Sequence, residues 1–409
     1  MAALKLLFIF ILIMLAIRKK ISVGITLTGA GLIMAVLFQI SFKSLMIGYY
    51  DLIKSHTFIT LTLVVIFITY MGSLLKELGF LEKLSTAVQG LPGGNKTAVA
   101  LLPPMIGMMP MPGGSLLSAP LVDNVLKKGN YTPEHKLLAN YWFRHVAEFF
   151  WPLYSGMILT EAITGLPMYK VSLMQFPLSV SMAIIGYYFF IRKIKNNNSN
   201  NSNNFSLLTS IWNMFKSVWA ILLAISLYAI LKVDLSISVL IAIILLMLIA
   251  RPSKEAIIIS LKKSLSLKLI MLLFGVLSFQ MIIELSRAVE FIPALATTYN
   301  LPEIIIVFLV TFTIGILTGM VSAYVGLGYA ILAGFLYQPE LNSGLIMIAY
   351  MSGFVGVMLS PSHLCLILTN EYFGSDLMKV FRRLVPIVSL LIIAGLILYF
   401  SPWPDLFIR

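Results

Sequence analysis

Long runs of apolar residues, separated by short polar connections, dominate the pattern of this 409-residue chain. A helical run of about 20 apolar residues matches the hydrocarbon thickness of a bilayer. Such runs predict ten membrane-crossing helices, at about 3–17, 21–40, 57–75, 137–165, 170–192, 212–231, 234–250, 269–287, 343–373 and 383–401. The chain is therefore predicted to be an all-α polytopic membrane protein.

Two further apolar segments, about 97–122 and 303–336, are interrupted near their centres. The first contains residues 110–115 (PMPGGS), and the second contains glycines at 315, 319, 326 and 328. Each arm has only about 13 to 16 residues, which is short for a bilayer core that needs about 20. Both segments are predicted to be re-entrant hairpins, which enter and leave the membrane on one side.

Composition supports a lipid environment, because 59% of the residues are hydrophobic, 11% are charged and the mean hydropathy is +0.98. The net charge of +13 does not indicate nucleic acid, since the basic clusters adjoin apolar runs and suit a membrane surface. Placing the N-terminus and C-terminus outside the plasma membrane puts 21 of 29 Lys and Arg in the cytoplasm and 7 outside, with Arg144 inside a crossing. The polar segment 196–206 is then a cytoplasmic linker.

A shift of 209 residues superposes the second half of the chain on the first. Between residues 141 and 186 it gives eleven identities in 46 positions, including Tyr141 with Tyr350 and Pro152 with Pro361. Each half, 1–195 and 207–409, contains about five transmembrane helices plus one re-entrant hairpin. Because five crossings is an odd number, the two copies are predicted to form inverted-topology repeats.

Each predicted repeat has one interrupted hairpin and one proline-broken helix, and inverted repeats with such breaks typically bind solutes near the midplane. Small or hydroxyl-bearing residues collect at the breaks, where they suit a hard cation or an oxyanion. An alternative is that they only pack and satisfy neighbouring helices. The candidates are Gly113, Gly114, Ser115, Ser118, Pro152, Ser155, Thr160, Gly319, Ser322, Pro361, Ser362, Thr369 and Asn370.

Ionisable groups inside a membrane are costly unless they face protein or water. Arg144, His145 and Glu148 share one predicted crossing, and His363 follows the second proline break. Arg144 and Glu148 are four residues apart on one helical face, so an internal ion pair is as strong an interpretation as a substrate site. His363 is interpreted either as a titratable ligand-orienting group or as a packed, hydrogen-bonded histidine.

With its hairpin LLPPMIGMMPMPGGSLLSAPLVDN and its broken helices FFWPLYSGMILTEA and MLSPSHLCLILTNEY, the chain resembles the ion transporter superfamily of secondary carriers over nearly its whole length. It is most similar to an uncharacterised family of prokaryotic integral membrane proteins within that superfamily. The resemblance implies an ion-coupled permease, a symporter of a small anionic solute that works as an elevator on a homodimeric scaffold. The Ser-Asn-Thr signature of sodium-coupled dicarboxylate carriers is absent from both tips, so neither sodium coupling nor a dicarboxylate substrate is implied.

The sequence also allows an intramembrane enzyme or an ion channel. No catalytic spacing supports an enzyme, and the single cysteine, Cys365, has no evident activating partner. Repeated filter sequences typical of a channel are missing. No cofactor, no metal site and no nucleic acid partner are predicted, and Na⁺ or H⁺ is the expected coupling ion.

Overall fold

The computed structural model describes residues 2–19, 21–108, 114–127, 129–195, 207–286 and 296–407. Within these ranges the regular secondary structure is helical, and no β-strand is present. The predicted linker 196–206 and Gly113 lie outside the described residues.

The α-helices follow one another with short connections. In chain order they are α1 (Ala2–Arg18), α2 (Val23–Leu37), α3 (Phe42–Lys54), α4 (His56–Glu77), α5 (Phe80–Gln89), α6 (Gly94–Gly107), α7 (Gly114–Leu126), α8 (Pro133–His145), α9 (Ser155–Thr164), α10 (Met168–Gly186), α11 (Leu207–Ala229), α12 (Leu235–Ala250), α13 (Lys254–Ser264), α14 (Leu267–Leu285), α15 (Glu303–Thr318), α16 (Val321–Ala323), α17 (Tyr329–Ile331), α18 (Ala333–Leu336), α19 (Ser343–Met358), α20 (Leu364–Phe373) and α21 (Leu377–Tyr399).

Four short turns of other helix types are found among the described residues. A 3₁₀ turn, Val146–Phe149, follows α8, and π-helical turns occupy Tyr187–Ile191 after α10 and Tyr324–Gly328 between α16 and α17. A second 3₁₀ turn, Pro404–Phe407, lies near the C-terminus.

Four helices of the described chain are long and apolar enough to cross a membrane, and shorter apolar helices accompany them. The four are His56–Glu77, Met168–Ile191, Leu207–Ala229 and Leu377–Tyr399. Every predicted crossing coincides with a helix or, at 137–165 and 343–373, with two helices separated by a non-helical segment. These features fit a membrane protein.

The structure corrects two details of the predicted elements. Gly315 does not interrupt its segment but lies inside α15, where an added Cβ would meet the carbonyl oxygen of Gly353 in α19. Its small size serves close helix packing, as glycine does in other membrane helices. The helices α3, α5 and α13, of 10 to 13 residues, were not predicted.

Close backbone contact between helices recurs elsewhere in the core. Gly24 of α2 and Gly275 of α14 approach so closely that a Cβ on either would collide with the backbone of the other helix. Every residue of α19, from Ser343 to Met358, is buried, and α19 packs along α15. Two closely packed helix pairs of the core, α2 with α14 and α15 with α19, are therefore in contact through glycines.

Local sequence signals explain where many helices begin and end. The side chains of Ser55, Thr132 and Asn342 each accept a hydrogen bond from a backbone N–H in the first turn of the helix that follows. Gly165 and Gly374 end α9 and α20 with φ of +71° and +61°, in the left-handed region that favours glycine.

Candidate functional site

Several helix ends meet in the interior around the first non-helical segment. Helix α8 packs against α6, α7 and α20. It stops at His145, continues as the 3₁₀ turn, and gives way to residues 150–154, which contain Pro152. The second break, residues 359–363 with Pro361, precedes α20. Proline has no N–H and obstructs the preceding helical turn, so both breaks agree with the sequence.

The two breaks bring His145 and His363 into direct contact, although 218 residues separate them. Their Nε2 atoms are 3.1 Å apart. The Nδ1 of His145 lies 2.6 Å from the carbonyl oxygen of Tyr141, and that of His363 lies 2.7 Å from the carbonyl oxygen of Gly319. Since a carbonyl only accepts, each Nδ1 is a donor. The side chains are fully buried for His145 and 9% exposed for His363.

Cys365 completes this cluster and corrects the sequence interpretation that left it without a partner. Its Sγ and the ring nitrogens of His145 and His363 all lie within 4.8 Å of one another. The cysteine is the second residue of α20 and is partly exposed. The residue type was visible in the sequence, but its neighbours come from the packing of α8 against α20.

Arg144 and Glu148 form only a loose ion pair. Arg144 Nη1 is 3.9 Å from Glu148 Oε1, and the same oxygen is 3.8 Å from His145 Nε2. The expected four-residue spacing on one helical face is distorted because α8 ends at His145 and Glu148 lies in the 3₁₀ turn. Both residues are buried, and among the described residues neither Arg144 Nε nor Glu148 Oε2 has a hydrogen-bond partner.

Tyr154 holds the Arg144 guanidinium from the far side of the first break. Arg144 Nη1 donates a 2.9 Å hydrogen bond to the Tyr154 hydroxyl, which donates a 2.7 Å bond to the carbonyl oxygen of Gly107, at the end of α6. A Cβ on Gly107 would lie 2.6 Å from the backbone oxygen of Arg144. Sequence reasoning missed Tyr154, although its position at the Pro152 break was a usable signal.

The start of α7 is joined by polar contacts to α8 and α20, the helices beside the two breaks. Gly114 is the first residue of α7. The Ser115 hydroxyl donates to the carbonyl oxygen of Cys365 at 3.3 Å, and the amide of Asn140 in α8 donates to the Ser115 carbonyl at 3.2 Å. The Ser118 hydroxyl donates to that same carbonyl. Asn140 was not predicted, and its Oδ1 has no partner among the described residues.

The remaining predicted residues are dispersed around this centre. Thr160 and Thr369 donate to the carbonyl four residues earlier in their own helices, which is the packing role. Ser155 and Ser362 are exposed, Ser322 is buried in α16, and Asn370 accepts from Ser375. Gly319 has φ +64° and contributes its carbonyl to His363.

A separate cavity of about 660 Å³ lies at the opposite end of α8. Its lining includes His135, Lys193, Arg382 and Arg383, of which the last three are exposed. The basic side chains of this cavity are solvated by water, whereas Arg144 is buried. The buried guanidinium therefore needs an anionic partner more strongly than the exposed cavity does.

Fold and site together define an all-helical chain of the membrane-protein class, whose buried polar groups meet where helices break. The chain belongs to the family described as protein of unknown function (DUF401), whose model matches residues 1–401. No curated protein matches the chain.

Proposed function

We propose that the protein is a secondary active transporter that moves a small anionic solute, such as an organic acid or an oxyanion, by an elevator-type mechanism. The observation that carries this proposal is the buried guanidinium of Arg144. It is 4% exposed, its nearest carboxylate oxygen is 3.9 Å away, and its Nε has no partner among the described residues. A buried guanidinium needs an anion, and its planar donors suit a carboxylate or oxyanion.

Helix bounds support the inverted-topology repeats that such a transporter requires. At an offset of 209 residues, the starts of α9, α10 and α6 coincide with those of α20, α21 and α15. The left-handed glycines Gly165 and Gly374 coincide as well. An internal repeat explains why, in each half, a buried helix is followed by a proline break. It also explains why the next helix ends in each case at a left-handed glycine.

Two tyrosines at the same offset, Tyr141 and Tyr350, form similar hydrogen bonds between the halves, with acceptors that are one residue out of register. The hydroxyl of Tyr141 donates to the carbonyl oxygen of Met358, and that of Tyr350 donates to the carbonyl oxygen of Glu148, at 3.1 and 3.0 Å. Tyr141 thus binds the last residue of α19, and Tyr350 binds the 3₁₀ turn that follows α8. Such an exchange is what an approximate twofold axis between the halves produces.

The lengths of α6, α7 and α15 support re-entrant hairpins at 97–122 and 303–336. These helices have 13 to 16 residues, and α6 packs against α7. An arm of this length is short for a crossing and suits a hairpin buried within protein. Membership of the ion transporter superfamily, a homodimer, and coupling to Na⁺ or H⁺ are parts of the proposal that rest on the resemblance.

The test is binding followed by flux. Purified protein is screened by thermal shift against organic anions and oxyanions, with Na⁺ or pH varied, because a ligand of the folded state raises its melting temperature. The ligands found are then tested in proteoliposomes. We expect uptake that saturates and responds to an imposed ion gradient. Flux that does not saturate would indicate a channel, and chemical conversion of the solute would indicate an enzyme.

Orientation in the plasma membrane is tested separately at Ser199, in the segment 196–206. With both termini outside and the linker inside, an impermeant thiol reagent should label Ser199→Cys only after the membrane is permeabilised. The background variant is Cys365→Ser, which removes the single native cysteine. Labelling in intact cells would contradict the proposed topology.

A further inference from the structure

The imidazole rings of His145 and His363 face each other, and their arrangement is electrostatically unfavourable if both rings are neutral and nothing lies between them. Both Nδ1 atoms donate to backbone carbonyl oxygens, so in neutral rings both Nε2 atoms carry lone pairs. These two lone-pair atoms are 3.1 Å apart in a buried setting. Two acceptors at that distance repel each other unless a cation lies between them.

The orientation of the two rings is the one found around protein-bound metals. A histidine ligand usually donates its second ring nitrogen to a carbonyl or carboxylate, which fixes the tautomer and directs the other nitrogen at the metal. Here the carbonyl oxygens of Tyr141 and Gly319 have that role, at 2.6 and 2.7 Å. Two rings oriented in this way converge on one point.

Cys365 supplies a third donor of the right kind. Its Sγ lies within 4.8 Å of the ring nitrogens of both histidines. Tetrahedral zinc binds imidazole nitrogen at about 2.0–2.1 Å and thiolate sulfur at about 2.3 Å, so two nitrogen ligands lie roughly 3.3 Å apart. The observed 3.1 Å between the Nε2 atoms is close to that separation.

Glu148 lies beside the cluster, where the fourth ligand of a tetrahedral ion would bind. Its Oε1 is 3.8 Å from His145 Nε2, and its Oε2 is buried without a partner among the described residues. A carboxylate and a thiolate together balance a divalent charge in a buried site.

From these contacts we propose that His145, His363 and Cys365 form a binding site for a divalent ion of borderline softness, of the Zn²⁺ type. Two imidazoles and one thiolate select such an ion over Na⁺, Mg²⁺ or Ca²⁺, which prefer oxygen ligands. This departs from the sequence expectation of no metal site. The ion links α8 of the first half to α20 of the second, so its binding stabilises the closed contact between the two breaks.

The experiment uses the full-length protein in detergent after chelation, and it requires no transport assay. Zn²⁺ is titrated by calorimetry, and Co²⁺ is used as a spectroscopic probe. We expect one Zn²⁺ per chain, and for Co²⁺ the intense visible bands of a tetrahedral ion with a thiolate-to-metal band in the near ultraviolet. Bound Zn²⁺ should also raise the melting temperature.

Variants assign the ligands. His145→Gln and His363→Gln should each weaken Zn²⁺ binding by about 100-fold or more, and Cys365→Ser should remove the near-ultraviolet band of Co²⁺. His56→Gln, at an exposed histidine outside the cluster, is the matched control and should bind as the native chain does. Melting curves without metal show whether each variant is folded.

The rival arrangement is a single proton shared by the two imidazoles, which needs neither Cys365 nor a metal. It predicts no stoichiometric Zn²⁺ binding, or binding that is unchanged in Cys365→Ser and His363→Gln, and any of these results overturns the metal site. If the histidine variants do not fold, the Co²⁺ spectrum of Cys365→Ser decides alone. A failed metal titration leaves the anion screen with Arg144 unaffected, so the two proposals fail separately.

Discussion

The two helix breaks share a proline but differ in what surrounds it. At the first break, the end of α8 carries Arg144 and His145, and the following turn carries Glu148. At the positions 209 residues later, α19 has Gly353, Phe354 and Val357 instead. The first break gathers buried charge, and the second has none on its long helix.

The helix before the second break, α19, is packed closely against its neighbours. Gly315 of α15 lies against the backbone of Gly353, and the ring of Tyr324 lies against the Cα of Gly353. Gly356 contacts the backbone of α15 as well. Glycine at an interface lets two helices approach to backbone contact. The comparison teaches that two proline breaks of similar sequence have different surroundings, a buried polar site at the first and tight helix packing before the second, with His363 and Cys365 as the second half's polar contribution.

The largest expected effect concerns Gly114, which begins α7 next to Ser115, whose hydroxyl donates to the carbonyl oxygen of Cys365 in α20. Gly114→Val places a β-branched side chain at the start of α7, where glycine permits backbone conformations and close approaches that other residues resist. We expect uptake to be abolished while membrane insertion is unchanged. The control is Gly29→Val in α2, where an added Cβ meets nothing within 4 Å. Normal uptake by Gly114→Val would remove the start of α7 from the site.

The next effect concerns the charged break. Arg144→Lys keeps the charge but loses the planar pair of donors, so anion affinity should fall about 30-fold, which corresponds to about 2 kcal/mol. The melting temperature should change little. Arg383→Gln, which alters the exposed basic cavity, is the control and should leave affinity unchanged.

A double variant separates a substrate site from an internal ion pair. If Arg144 and Glu148 only neutralise each other, then Arg144→Gln combined with Glu148→Gln should fold and transport normally. If Arg144 binds the anion, the double variant should fold but lose transport. A fully active double variant would show that the anion site is elsewhere, and the Arg383 cavity would be examined next.

The sequence predicted the long apolar elements well, because hydropathy over about 20 residues is the signal that defines them. The run predicted at 57–75 is helix α4, His56–Glu77. The helices α3, α5 and α13 were not predicted. They are short and carry lysines or glutamates, so no long apolar window covers them. The proline breaks were predicted because proline acts locally on the backbone.

Most residues of the buried polar cluster were candidates from the sequence, but their arrangement was not predicted. Arg144, His145, Glu148 and His363 were identified because charge in an apolar run is conspicuous. The contact between His145 and His363 depends on how α8 packs against α20, which no spacing in the sequence reveals. For the same reason Cys365 was dismissed.

A smaller effect is expected in α19, the closely packed helix before the second break. Gly353→Ala places a methyl group against the Tyr324 ring and should destabilise the protein by about 1–3 kcal/mol through overpacking. The measurement is the apparent melting temperature in detergent, with the inactivation half-life at a fixed temperature. Gly29→Ala is the control and should be neutral or slightly stabilising. Unchanged stability with impaired solute binding would contradict the division of roles between the breaks.

The smallest effect is expected at Tyr141 and Tyr350, whose hydrogen bonds join the two halves. Tyr141→Phe and Tyr350→Phe each remove one hydrogen bond between the halves and should each cost about 1 kcal/mol of stability. Tyr169→Phe, at an exposed tyrosine, is the control.

The two variants should differ in function because the carbonyls that they release precede different breaks. Tyr350→Phe frees the backbone oxygen of Glu148 beside Arg144, whereas Tyr141→Phe frees that of Met358, at the end of the packing helix. We therefore expect Tyr350→Phe to lower anion affinity a few-fold, since a released carbonyl repels an anion, and Tyr141→Phe to leave it unchanged. Equal losses of affinity would mean that both breaks contribute to the solute site, and the contrast between them would then be one of packing alone.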